Sequence, residues 1–406
     1  MPRLSVKLGA IPKGRPSMNT GKSVFAQVMA FVSHPEFQEC VQRYRGDYKV
    51  QDFSCLDQYF SMAFAQMTYR ESLRDLVDCL EAKADSLYHM GIRTRPTRNN
   101  LANANAQRDW RIYHDFAMVL IRRARALYGT EKIPELDLDD MVYALDSSTI
   151  DLCLSLFPWA RFRRTKAAIK LHTLYDIRCQ VPAFIHISDG KLHDVNILDI
   201  LVIEPGAFYL MDKGYVDFGR LFHIHQARAF FVTRAKTNLD YRRTASRPVD
   251  KTTGLRSDQA IRVRGLKTRT LYPEPIRRVS YHDAETGLRL IFLTNNFELP
   301  AIVIAALYKK RWQVELFFKW IKQNLRIRHF FGTSDNAVKT QIWIAVSVYV
   351  LVIILRKALR TELSPAKLLQ RLSVTPFEKT PLIQLVTTKE PKLPESTFSK
   401  QLLLNI

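Results

Sequence analysis

The hydrophobic periodicity of the chain changes near residue 141, and no other feature constrains its fold as much. From 23 to 127, apolar residues recur at spacings of three and four, as in Ser23–Val32, Leu56–Ala65 and Leu73–Leu80, which predicts helices with no strand among them. From Met141 short apolar runs take over. Met141–Asp146, Ala167–Tyr175 and Val181–Ser188 read as three consecutive strands, Asp194–Ile203 as a helix, Ala207–Asp212 as a strand, Val216–Gln226 as a helix and Ala229–Arg234 as a fifth strand. The order βββαβαβ is that of an α/β domain.

Between Ala235 and Asn296 the sequence turns polar, basic and strand-like, at Ile261–Arg264, Ile276–His282 and Leu288–Leu293. A β-rich insertion is expected there, with 240–260, which holds Pro248 and Gly254, as a mobile loop. Helices resume at Leu299-Pro300 and run to about Arg328, followed by an apolar helix over about Asp335–Leu359. The stretch from Thr361, with five prolines, reads as a weakly ordered tail. The expected division is therefore 1–130 helical, 131–235 and 299–360 as two parts of one α/β core, 236–298 as the insertion and 361–406 as the tail.

Lys and Arg number 61 against 39 Asp and Glu, a net charge of +22 with a pI near 9.8. So basic a chain expects a polyanionic partner, and nucleic acid fits better than a membrane surface because the basic residues are spread along the whole length. The apolar run Ile342–Leu355 is shorter than the roughly 20 residues a bilayer requires and reads as a core helix. Met1–Thr20 has no apolar central segment, and the five cysteines are scattered without metal-binding spacing, so reduced thiols in a cytoplasmic, nucleoid-associated protein are expected. Arg93, Arg95 and Arg98 lead into what reads as a long helix carrying Arg108, Arg111, Arg122, Arg123 and Arg125. That pattern suits a helix-turn-helix reader of a major groove, and suits equally a packing helix with a solvated basic face.

Candidate chemistry lies in three carboxylates. Asp146 and Asp212 each end a short apolar strand of the kind buried on both faces of a parallel sheet, where α/β ligand sites lie. Read as one helix, 308–322 gathers Tyr308, Arg311, Glu315 and Lys322 within about 60°, with Val314, Phe317, Phe318, Ile321 and Leu325 on the other side. Three hard oxygen donors suit Mg²⁺ or Mn²⁺, and two such ions about 3.5–4 Å apart could drive phosphodiester chemistry. The plainer readings are a strand-end cap for each aspartate and a solvated amphipathic helix. Asp151, Asp176, Asp189, Asp194 and Asp199 compete for the same role; Asp189 reads as a turn and Asp194 as a helix start. Zinc ligation by the dispersed histidines is a weak reading, and no Gly-rich phosphate loop is present.

Tyr308, Arg311, Glu315 and Lys322 match the Tyr-x2-Arg-x3-Glu-x6-Lys signature, and Asp212-Lys213-Gly214-Tyr215 the second-aspartate region, of the insertion-sequence-four family of DDE transposases, which the chain resembles over about 141–360. The resemblance implies a ribonuclease-H-like catalytic core with a β-rich insertion, preceded by an all-α N-terminal DNA-binding domain. It makes Asp146, Asp212 and Glu315 the metal-binding catalytic triad, with two ions per site. Tyr308, Arg311 and Lys322 would grip phosphates, with Lys213, Arg93, Arg95 and Arg98 as further DNA contacts. The implied reaction is cleavage at terminal inverted repeats and joining of the 3′-OH ends to target DNA, by a homodimer or larger assembly. Some relatives pass through a DNA hairpin aided by an aromatic in the insertion, where Tyr241, Tyr272 and Tyr281 are the candidates here. A domesticated DNA-binding regulator and a structure-specific nuclease are the competing functions.

Overall fold

A computed structural model describes residues 21–129, 131–133, 136, 138–324 and 330–387. Six helices come first: α1 (Val24–Met29), α2 (His34–Arg43), α3 (Cys55–Met67), α4 (Leu73–Glu81), α5 (Arg98–Gln107) and α6 (Arg111–Tyr128). Their starts are set by side-chain caps. Ser54 and Asp57 form a reciprocal capping box on α3, and Ser72 and Thr97 cap α4 and α5. The expected long basic helix is in fact two. Arg108 ends α5 and donates to Ser54 O and Gln58 Oε1, while Arg123 bonds Glu36, and Arg125 lies 3.3 Å from Asp176. α6 buries Ile112, Tyr113, Phe116, Leu120 and Ile121 on one face and leaves Arg111 and Arg122 exposed.

The sheet follows, with β1 (Val142–Leu152), β2 (Arg161–Arg163), β3 (Lys166–Asp176), β4 (Val181–Asp189), β5 (Phe208–Met211), α7 (Phe218–Gln226) and β6 (Phe230–Arg234). Asp194–Asp199 is a single 3₁₀ segment in place of the longer helix that the periodicity predicts. β1, β3 and β4 pair antiparallel, whereas β1, β5 and β6 pair parallel. After β6 come β7 (Tyr241–Arg247), β8 (Leu255–Val263), α8 (Leu266–Leu271), β9 (Ile276–His282) and β10 (Arg289–Thr294). β10 pairs β6, so the insertion extends the core sheet, giving the order β2-β3-β1-β5-β6-β10-β9-β8-β7 with β4 beside β3. The expected mobile loop at 240–260 is instead the antiparallel β7–β8 pair.

The chain ends in α9 (Ala301–Lys310), α10 (Trp312–Asn324), α11 (Asp335–Ala358), α12 (Pro365–Val374) and α13 (Leu382–Thr387). The expected continuous helix over 308–322 breaks at Arg311; Leu325 and the helix end at Arg328 lie outside the described residues. α11 is long and apolar enough to cross a membrane, but 94% of its apolar window is buried by the helices and strands around it. The tail is not loose up to residue 387, because Leu368, Leu369, Leu372 and Leu382 are buried and Val24 N–H donates to Glu378 O.

Candidate active site

Parallel pairing of β1 with β5 runs from Val142↔Phe208 to Leu145↔Met211, and that of β5 with β6 to Met211↔Thr233. The next residue on each strand is Asp146, Asp212 and Arg234. Asp146 therefore lies inside β1, which continues along β3 to Leu152, yet it stands where the parallel ladder stops. Two carboxylates and a guanidinium come to one edge because the three strands keep a common register.

α9 and α10 complete the cluster. The Tyr308 ring packs 4.8 Å from that of Phe292 on β10, and its hydroxyl donates to Asp212 Oδ1 at 3.4 Å. Arg311 donates from Nη1 to Asp146 Oδ2 at 3.1 Å and from Nη2 to Glu315 Oε1 at 2.6 Å, and Asp146 Oδ1 accepts the Ser147 N–H at 2.8 Å. Side-chain exposures are 14% for Arg311, 21% for Asp146 and 31% for Glu315. Burial raises the Asp146 carboxyl above its usual range, opposed by the Ser147 N–H and Arg311 and reinforced by the charges of Glu315 and Asp212. Burial also pushes the Tyr308 phenol up to about 12, so it stays a neutral donor.

The structure thus brings Asp146, Asp212, Glu315, Tyr308 and Arg311 together. Lys322 lies half-buried in the last turn of α10, about 10 Å beyond Glu315 along the helix axis. Lys213 is exposed directly after Asp212, and Arg93, Arg95 and Arg98 are exposed on the N-terminal helical part, outside this cluster. Among the insertion's tyrosines Tyr272 is buried against His225, which removes it as a stacking candidate, while Tyr241 and Tyr281 are half-buried.

Reading by residue type missed Arg234, the last residue of β6, which stands level with Asp212 just past the end of β5. It also missed the polar network behind Asp146, where Ser147 Oγ and Lys170 Nζ donate to Asp194 Oδ1 at 2.7 and 3.2 Å. The buried His172 imidazole lies beside that network, its pKa lowered to about 4 by burial, with Nε2 2.9 Å from Ser188 Oγ and Nδ1 left without a hydrogen-bond partner.

Among the described residues no three His, Cys, Asp or Glu side chains are drawn tightly enough to hold an ion as they stand. The shared cation here is the Arg311 guanidinium, whose Nε is buried without a partner. The donor set nevertheless fits a hard divalent ion, with three carboxylates from adjacent elements, two already bridged by positive charge.

Family comparison agrees with this geometry. The transposase DDE domain family matches residues 137–351, and a domain of unknown function (DUF4372) matches 20–93. A Sinorhizobium fredii protein named as a transposase, y4zB, is 35% identical over 261 residues, which is 63% of this chain and 70% of that protein. A Geobacillus stearothermophilus protein named as the transposase of insertion sequence element IS5377 is 30% identical over 209 residues, covering 51% and 54% of the two chains. A Synechocystis protein named for element IS4SA is 22% identical over 285 residues, covering 67% and 76%. Transposase DDE domains act on DNA and use divalent metal ions. A mixed α/β chain whose carboxylates meet at the end of a parallel ladder, and whose sequence matches that domain across the whole of this region, belongs to the DDE transposases and is an enzyme of DNA transposition.

Proposed function

We propose that β1 to β6 with α9–α11 form a ribonuclease-H-like core in which Asp146, Asp212 and Glu315 hold two divalent ions, Mg²⁺ or Mn²⁺. The enzyme cuts the terminal inverted repeats of a bacterial insertion sequence and joins the freed ends to target DNA in the bacterial cytoplasm, as a dimer or larger assembly on DNA. The observation that carries this reading is the register Leu145↔Met211, with Asp146 and Asp212 next in line and Arg311 tying Asp146 to Glu315. The strand order, three antiparallel followed by two parallel, supports the core.

Ions at these carboxylates would activate the attacking oxygen and stabilise the leaving one. In the first step water adds to phosphorus, the P–O3′ bond at the element end breaks, and the 3′-oxygen leaves as a hydroxyl. In the second, that hydroxyl loses its proton, attacks a target phosphorus and displaces the target's 3′-oxygen. Tyr308 orients Asp212 through its hydroxyl. With ions at the carboxylates, the planar fork of Arg311 would be free to hold phosphate oxygens, and Lys322 and Lys213 would act as point charges farther along the strand. The N-terminal helices, with Arg93, Arg95 and Arg98, bind the repeat.

Asp146→Asn, Asp212→Asn and Glu315→Gln should each lower single-turnover, Mg²⁺-dependent cleavage of the element's ends by about 10³-fold or more, with repeat binding within about threefold of wild type. Near-normal cleavage by any one of them would remove that residue from the triad.

A further inference from the structure

Resting on the reading that the N-terminal helices bind the element ends, we infer that α5 is the helix that reads bases, through Asn99, Asn103 and Gln107. α5 holds four asparagines in ten residues, Asn99, Asn100, Asn103 and Asn105, although asparagine is among the weaker helix formers. Packing explains only one of them: Asn105 is buried and accepts from Gln58 Nε2 at 2.8 Å. Asn99, Asn103 and Gln107 are exposed, follow one another at i, i+4 and i+8, and make no side-chain hydrogen bond among the described residues. Ala106, also exposed, keeps the same face low enough for close approach. Nothing in the fold needs these amides, so their cost to the helix points to a partner.

The flanks identify the partner as duplex DNA. Arg93, Arg95 and Arg98 are exposed just before and at the start of α5. Facing the helix across an open cavity of about 500 Å³ is the 44–53 loop, where Tyr48 is 59% exposed, Arg45 stacks 4.2 Å above its ring and Lys49 lies at 5.5 Å. Arg45 and Lys49 both have left-handed backbones, φ 54° and 57°, a costly conformation for residues other than glycine. The loop keeps it because it is pinned. Asp47 accepts the Cys55 N–H, Thr94 donates to Asp52 O, and a Cβ on Gly46 would fall 2.5 Å from Ile112. Of the nearby carboxylates, Asp109 is neutralised by Arg111, Asp47 is half-buried on the Cys55 N–H and Asp52 is exposed, so five cations face two unpaired carboxylates.

A helix in the major groove fits this arrangement. Residues four apart rise about 6 Å along a helix, close to two base-pair steps of 3.4 Å, so three amides span about five base pairs. Asn and Gln pair bidentately with the N6 and N7 of adenine, whereas the arginines and Lys49 reach phosphates on either side.

The test uses the full chain and duplexes taken from the DNA immediately flanking the gene, against scrambled duplexes of equal composition. Asn99→Ala, Asn103→Ala and Gln107→Ala together should lower the preference for the flanking duplex by about 10-fold or more, with scrambled binding and salt dependence unchanged. Arg93→Ala, Arg95→Ala and Arg98→Ala together should weaken both duplexes alike and flatten the logarithmic salt slope by about 0.9 for each phosphate left unneutralised. Placing 7-deaza-adenine in the flanking duplex should cost the wild type affinity and leave the triple amide variant unaffected. If the wild type discriminates and the amide variant discriminates equally well, α5 does not read the bases. If the wild type itself fails to discriminate, end binding by these helices fails and base reading by α5 fails with it.

Discussion

Arg311 donates to Asp146 and Glu315 at once and so compensates the repulsion between these two carboxylates. Its removal should destabilise the metal-free fold by about 2 kcal/mol, less than for a fully buried pair because Asp146 and Glu315 keep 21% and 31% exposure. Mg²⁺ should then raise the melting temperature of Arg311→Ala more than that of wild type, since the ion relieves a larger repulsion. Cleavage should fall in the same variant and return only in part in Arg311→Lys, which keeps the charge and loses the fork. Equal Mg²⁺-induced shifts in wild type and Arg311→Ala would show that guanidinium and ion do not share the site.

The helix carrying this arginine shows how far a sequence pattern reaches. Tyr308, Arg311 and Glu315 do converge, but the chain gathers them by tightening at Arg311, where Arg311 N–H bonds Tyr308 O and Val314 N–H bonds Arg311 O. Within the insertion, Arg277 on β9 pairs with Asp258 on β8 at 2.8 Å, with both side chains nearly inaccessible, and its Nη1 donates to Asn296 O and Leu299 O just before α9. The insertion is thereby tied to the start of the catalytic helices. Arg277→Met should cost about 3–5 kcal/mol by urea unfolding because it strands a buried carboxylate, and adding Asp258→Leu should recover much of that. No recovery in the double variant would assign the loss to the Asn296 and Leu299 carbonyls. β1, β5 and β6 were legible because strands buried on both faces are written as apolar runs. β7 was not, since Tyr241–Arg247 is a nearly fully exposed edge strand with three arginines, held by its ladder to β8 and carrying no hydrophobic pattern. The tail misled for a related reason. Pro365 reads as a breaker but sits in the first turn of α12 behind the Ser364 cap.

At the scale of the whole molecule, the expected boundary near residue 130 does not separate two cores. One continuous buried cluster runs from Val24 through α6 into β1, β3 and α11 and on to Leu382. α11 is its axis. Tyr59 and Ser347 hydroxyls meet at 3.0 Å, the His114 and Trp343 rings lie 4.5 Å apart, and Tyr128 Oη donates to Ile353 O. Asn336 donates to Asn105 O and Arg108 O at the end of α5, while Tyr349 packs its ring 5.1 and 4.5 Å from Phe317 and Trp320 on α10. Contacts along this one helix therefore connect α5 with the helix that bears Glu315. A fragment of residues 1–130 would lose the packing partner of α3, α5 and α6 and expose their apolar faces to water, at about 25 cal/mol per Å². It should melt without a cooperative transition, bind a hydrophobic dye and lose preference for the repeat, whereas the full chain should unfold its N-terminal helices together with α11 in one transition. The check is circular dichroism melting of both proteins, with hydrogen exchange on the full chain. A sharp transition and intact repeat recognition in the fragment would restore an independent N-terminal domain and make α11 a scaffold for the catalytic half alone.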